Sequence, residues 1–145
     1  MGAVHDTAPT LFSRVGGERF FEVLVDHFYD GVATDAVLLP LYPERDDLTG
    51  ARRRLTLFLI QYWGGPMTYM DERGHPRLRM RHLPFHIGPL ERDRWLVHMA
   101  AAVERTCAEL DVAAGIADEL LAYFTPAAEH LRNDTGLPIS SARPR

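Results

Sequence analysis

Apolar residues return every three or four positions in four separate segments of this chain, a pattern that is buried by packing helix against helix. After Gly16-Gly17, residues Phe20, Phe21, Leu24, Val25, Phe28 and Val32 fall on one side of a helix, and Tyr29, four positions after Val25, points inward with them. Leu48, Ala51, Leu55, Phe58, Leu59 and Tyr62 keep the 3.6-residue rhythm with Arg52 and Arg53 pointing away, until Gly64-Gly65-Pro66 stops the helix. Pro89 starts a long helix with two inner rows, Trp95, Met99, Ala102, Thr106 and Leu96, Val103, Cys107, Leu110. A last helix carries Ile116, Leu120, Leu121, Phe124, Ala128 and Leu131, and Pro126 within it is expected to bend or interrupt it.

The segments between are shorter and less regular. Ala36 to Leu39 reads as a short element cut by Pro40, and Tyr42 follows in the turn Tyr-Pro-Glu-Arg-Asp-Asp. Asp71 to Gly74 shows little periodicity. Arg77-Leu-Arg-Met-Arg-His82 alternates strictly, which by period alone is a strand, but Pro76 as first residue and Pro84 as terminator favour one or two helical turns. Either way Leu78 and His82 share a face. No other stretch reads as a strand, so the fold class is all-α. The periodic middle, 11–133, is one domain, and the polar or Pro- and Ser-rich ends, 1–10 and 134–145, are expected to be flexible tails.

Composition excludes several classes of function. A net charge of −4 gives no overall field for nucleic acid. No apolar run approaches bilayer-spanning length, and the first residues lack a basic region followed by an apolar one. Cys107 is the single cysteine, which rules out an intramolecular disulfide and suits a reducing compartment, so the cytoplasm is the expected location. One cysteine also cannot supply the paired thiols that attach a haem covalently.

Chemistry concentrates around His82 and Trp95. The run from His75 to Phe85 gives His82 an apolar surround in Leu78 and Phe85, a rigid neighbour in Pro84, and arginines at 77, 79 and 81 that would flank an anionic cofactor. A neutral imidazole there is an ordinary axial ligand for haem iron, in a pocket that holds its cofactor by coordination and packing. Trp95 offers an indole N–H that only donates, and Tyr29 and Tyr42 offer phenols that donate or accept. Each hydrogen bond to a charged ligand is worth roughly 1.5–3 kcal/mol. Ala51, small and on an inward row, would leave room for a ligand, and Arg54 could reach a haem propionate. The bland alternatives are core aromatics, a helix-forming alanine, solvated arginines and a buried histidine. A zinc cluster of His75, His82 and His86 is disfavoured, because Pro84 breaks helical spacing and no thiolate is near.

Tyr62-Trp63-Gly64-Gly65-Pro66, Arg73-Gly74-His75-Pro76-Arg77-Leu78-Arg79-Met80-Arg81-His82 and Glu91-Arg92-Asp93-Arg94-Trp95-Leu96 together resemble group II truncated haemoglobins of the actinobacterial, truncated haemoglobin O type. The resemblance runs from Leu11 to Asn133. It implies a globin-like, two-over-two helical sandwich around one haem b, iron protoporphyrin IX. It makes His82 the metal ligand, Trp95, Tyr29 and Tyr42 the distal donors, and Ala51 and Leu55 the residues lining the ligand's place. It puts Arg54 and Tyr62 at the propionates, and Phe58, Leu78, Arg81 and Phe85 complete the expected cofactor contacts. The turn from Pro43 to Leu48 is one residue longer than the family pattern.

On that basis the expected function is tight, reversible binding of dioxygen at ferrous haem, with nitric oxide and carbon monoxide as further ligands. The alternative is an enzyme on the same haem, a nitric oxide dioxygenase or a peroxidase consuming peroxide, with an external reductase restoring iron. A haem-free helical interaction domain is a third class, which leaves His82 and Trp95 unexplained. No integral membrane segment is expected, and a homo-oligomer is left open.

Overall fold

The computed structural model describes residues 9–133, so the expected tails lie, apart from Pro9 and Thr10, outside the described residues. Seven α-helices follow in order: α1 Leu11–Arg14, α2 Glu18–Ala33, α3 Thr49–Tyr62, α4 Thr68–Arg73, α5 Leu78–His82, α6 Pro89–Glu109 and α7 Ile116–His130. A 3-10 helix, Leu39–Leu41, sits between α2 and α3, and there is no strand among the described residues. Helix α2 packs against both α3 and α6, and α6 packs against α7. One pair, α2 and α3, therefore lies over a second pair, α6 and α7. This is the two-over-two sandwich.

The core sits where α2 meets α6. All six apolar residues of the α2 row, with Tyr29, are buried, as are Met99, Ala102, Val103 and Thr106 on α6 and Ile116, Leu120, Phe124 and Ala128 on α7. Gly16 and Gly17 have φ of 91° and 98°, a left-handed turn that only glycine enters without cost, and they redirect the chain from α1 into α2. Gly64 and Gly65 do a different job at the end of α3. A Cβ at Gly64 would stand 2.6 Å from Thr10, and one at Gly65 2.7 Å from the Phe12 ring. Their missing side chains let α1 lie against the end of α3, where the Phe12 N–H donates to the Trp63 carbonyl at 3.0 Å.

Several local readings change. Pro40 does not cut the short element: it is the second residue of the 3-10 helix, where no intrahelical donor is required. The stretch expected to be aperiodic is the end of α4, which at six residues is too short to display a rhythm. It is held by buried Tyr69, 5.8 Å from the Phe58 ring, and by a two-pronged ion pair from Arg53 to Glu72 at 2.6 and 2.8 Å. Pro76 is not the first residue of α5. Arg77 caps that helix in a left-handed conformation, φ 45°, and α5 begins at Leu78. Pro126 leaves α7 uninterrupted because proline and the residue four positions earlier, Ala122, are both exposed, so water can satisfy the carbonyl left without a donor. Arg52 does not point away. It bridges to Asp26 and Asp30 on α2, each at 3.1 Å, and lies over the Tyr29 ring at 5.8 Å.

Candidate functional site

A cavity of about 560 Å³ opens between the two helix pairs, walled mainly by apolar side chains of α2, α3, α6 and α7 and approached by α5. Its volume falls in the range of ordinary ligand pockets. The sandwich makes the space, and α5 brings the imidazole. Within the five residues of α5, His82 stands one turn after Leu78, and its Nδ1 lies 2.6 Å from the Leu78 carbonyl oxygen. A carbonyl only accepts, so Nδ1 carries the proton and Nε2 keeps its lone pair. This is the tautomer a metal-ligating histidine needs, fixed by the second hydrogen bond of the ring.

The loop after α5 is pinned from the end of α7. Asn133 donates through Nδ2 to the Phe85 carbonyl at 2.6 Å and the His82 carbonyl at 3.3 Å, and its Oδ1 accepts from the Ile87 N–H at 2.8 Å. Arg79 donates to the His130 carbonyl at 2.5 Å. Arg81 lines the cavity while its guanidinium donates to the carbonyls of Pro76, Arg73 and His75 at 2.7, 3.0 and 3.3 Å. These bonds hold the segment around His82, by its backbone from Asn133 and by its own Arg79 and Arg81 side chains on neighbouring carbonyls.

The three hydrogen-bonding aromatics expected from sequence share the cavity with His82: Tyr29 from α2, Tyr42 just after the 3-10 helix, and Trp95 from the first turns of α6. The Tyr29 and Tyr42 rings meet edge to face at 5.6 Å, and each phenol can donate or accept. Burial pushes the Tyr29 hydroxyl well above the usual phenol range, with the neighbouring Tyr42 adding to it, and burial also raises Tyr42. Both stay protonated, hence donors, at neutral pH. Trp95 is wedged between Phe28, at 5.2 Å, and Phe124, at 5.7 Å, which fixes the plane of the indole.

The structure brings together eleven of the twelve residues singled out from sequence: His82, Trp95, Tyr29, Tyr42, Ala51, Arg54, Leu55, Phe58, Leu78, Arg81 and Phe85 line one cavity. Ala51 is 5% exposed, so a larger side chain there would intrude. Arg54 reaches the lining but is also paired with Glu44 at 2.6 Å. Tyr62 is not among the lining residues. It is half exposed and stacks on Tyr123 at 4.3 Å. Tyr123, whose hydroxyl burial and Tyr62 push up to about 12, takes part in the wall, and so do Tyr69, Ile87, Glu91 and Arg92. Of these, Glu91 and Arg92 stood in the motif around Trp95 without a role assigned to them, and Tyr123, Tyr69 and Ile87 were not singled out.

Apolar walls, a single imidazole with a free Nε2 and arginines in the lining fit a flat, apolar iron macrocycle bearing carboxylates. Comparison with known proteins points the same way. The family model described as "Bacterial-like globin" matches residues 10–133. Group 2 truncated hemoglobin YjbI of Bacillus subtilis (strain 168) is 40% identical over 119 residues, covering 82% of this chain and 86% of the relative. The thermostable hemoglobin of the actinobacterium Thermobifida fusca superposes with a TM-score of 0.80 at 53% identity, over 86% of this chain and 98% of that one. A truncated oxygen-avid haemoglobin from Bacillus subtilis does so with a TM-score of 0.75 at 36% identity, over 86% of this chain and 100% of that one. The chain belongs to the bacterial-like globins and, among them, to the group 2 truncated hemoglobins, globins that take small gaseous ligands at haem b.

Proposed function

We propose that the chain binds dioxygen reversibly and tightly, with His82 as the iron ligand and Trp95, Tyr42 and Tyr29 as the donors that retain the gas. The observation that carries this reading is the cavity shared by one tautomer-locked imidazole and three protonated donors. Haem, when bound, would supply a ferrous iron able to take a protein nitrogen and a diatomic ligand. Everything else falls to the chain. His82 offers Nε2 because Leu78 occupies its other nitrogen. The Trp95 indole and the Tyr42 and Tyr29 hydroxyls, kept protonated by burial, donate to a ligand that gains negative charge. Ala51 leaves space at the ligand's side, and Leu55 and Phe58 exclude water. The relative described as oxygen-avid supports the choice of dioxygen by likeness of fold.

The test is hemin titration of the purified chain, followed by stopped-flow release of dioxygen from the reduced protein. We expect a sharp haem absorption spectrum and slow release in the wild type. In Trp95→Phe, release should speed by about tenfold to a hundredfold, the worth of one hydrogen bond to a charged ligand. A chain that takes up no hemin ends the reading, and an unchanged release rate removes the indole from it.

A further inference from the structure

We propose that Asp35 is the positioning residue of the distal side, one buried carboxylate that fixes the Tyr42 segment and the Trp95 helix relative to each other. This rests on the functional reading above. Asp35 lies just beyond α2 and is 3% exposed. Its Oδ1 accepts from the Val37 N–H at 2.7 Å and the Leu38 N–H at 3.2 Å, which closes the turn feeding the 3-10 helix and then Tyr42. Its Oδ2 accepts from Arg94 Nε at 3.0 Å and His98 Nε2 at 2.7 Å. Those two donors stand one turn apart on α6 and flank Trp95 in sequence. A carboxylate with four partners on two elements leaves little slack between them. Two of the donors proposed to hold the ligand are the residues those elements deliver.

Gly31 supplies an independent observation. It sits inside α2, where glycine costs roughly 1 kcal/mol relative to alanine. A Cβ there would fall 2.3 Å from His98 Nδ1 and 3.0 Å from two further ring atoms. The imidazole lies across the bare backbone of α2, and the glycine is what lets it reach Asp35.

The experiment uses the full chain loaded with hemin, reduced, and saturated with carbon monoxide, well below its melting temperature. It reads the C–O stretch in the infrared, the indole N–H resonances of Trp95 and Trp63, and dioxygen release. Asp35→Asn keeps the size of the side chain and an oxygen for the turn but presents an amide to Arg94 and His98. We expect the C–O stretch to move to higher wavenumber and broaden as donors drift from the ligand. The Trp95 resonance should shift while that of Trp63 stays, and release should quicken by about tenfold. Gly31→Ala displaces His98 while leaving the carboxylate intact and favouring the helix, so it should move the same readouts in the same direction in a folded protein. A merely structural aspartate would lower the melting temperature and leave the stretch and the Trp95 resonance where they are. Variants that load hemin and reproduce the wild-type stretch overturn the proposal and spare the functional reading. A wild type that never loads hemin overturns both.

Discussion

The two sides of the cavity are built by different physics. On the side proposed to hold the gas, the distal side, Tyr29 and Trp95 ride on helices of sixteen and twenty-one residues, and α2 alone buries seven side chains. Their positions follow from packing. On the side proposed to hold the iron, the proximal side, His82 rides on a five-residue helix that buries none of its residues. Its position follows from hydrogen bonds to backbone carbonyls, supplied by Arg81, Arg79 and Asn133. The distal wall is therefore costly to deform, since interiors are close-packed, whereas the proximal wall is as strong as a handful of bonds each worth about 1 kcal/mol net.

The sharpest way to separate the sides is to remove one key residue from each. His82→Ala should abolish the normal haem absorption spectrum while the circular dichroism of the chain changes little; retention of the wild-type spectrum would refute His82 as the ligand. Phe28→Ala, in the core beneath Trp95, should destabilise the fold by about 3–5 kcal/mol in denaturant titration, a loss the proximal variants should not approach. Asn133→Ala removes the clasp on the His82–Phe85 loop, so hemin should escape to an excess acceptor about tenfold faster with a small change in melting temperature. Equal effects on both measurements would mean the proximal loop is part of the core after all.

Acid should test the distal side first. Burial opposes the charge on Asp35, but bonds from His98, Arg94 and the Val37 and Leu38 amides outweigh it and hold the carboxyl far below the usual range. A depressed value contributes stability that is complete above about pH 4, the ordinary aspartate value, and is lost as pH falls from there toward the folded-state value. Wild type should therefore lose stability steadily below about pH 4, and Asp35→Asn should show a flatter acid limb. The smallest effect belongs to the surface: Glu44→Gln frees Arg54 at the cavity lining, and the denaturant midpoint should not move measurably.

The same contrast decides what could be read from the sequence. Long helices with a buried face write themselves as a 3.6-residue rhythm, so the all-α class, the inward Tyr29 and the row holding Trp95 were legible, while the two-over-two arrangement came from the family resemblance. So was His82, because Leu78 one turn earlier gave it an apolar companion, although its helix alternates like a strand. Bonds from side chains to distant carbonyls leave no period. Asn133, near the edge of the periodic region, and Asp35, in a turn, carried no pattern to mark them. Helix α4 was too short to show one, and Tyr69 was missed with it. Tyr62 kept the rhythm of α3 yet stacks on Tyr123 half in solvent, because a periodic row predicts a face and cannot tell what covers its last turn.

The glycine pair that seats α1 has a practical consequence for anyone handling this protein. Thr10 and Phe12 fill the space left over Gly64 and Gly65, and the Phe12 ring stacks on Phe21, which in turn faces Trp63. A purification tag fused by trimming back through Thr10 and Phe12 would strip the cover from those glycines and loosen an aromatic stack that leads through Phe124 to the Trp95 indole. Affinity handles belong at the other terminus or ahead of Pro9.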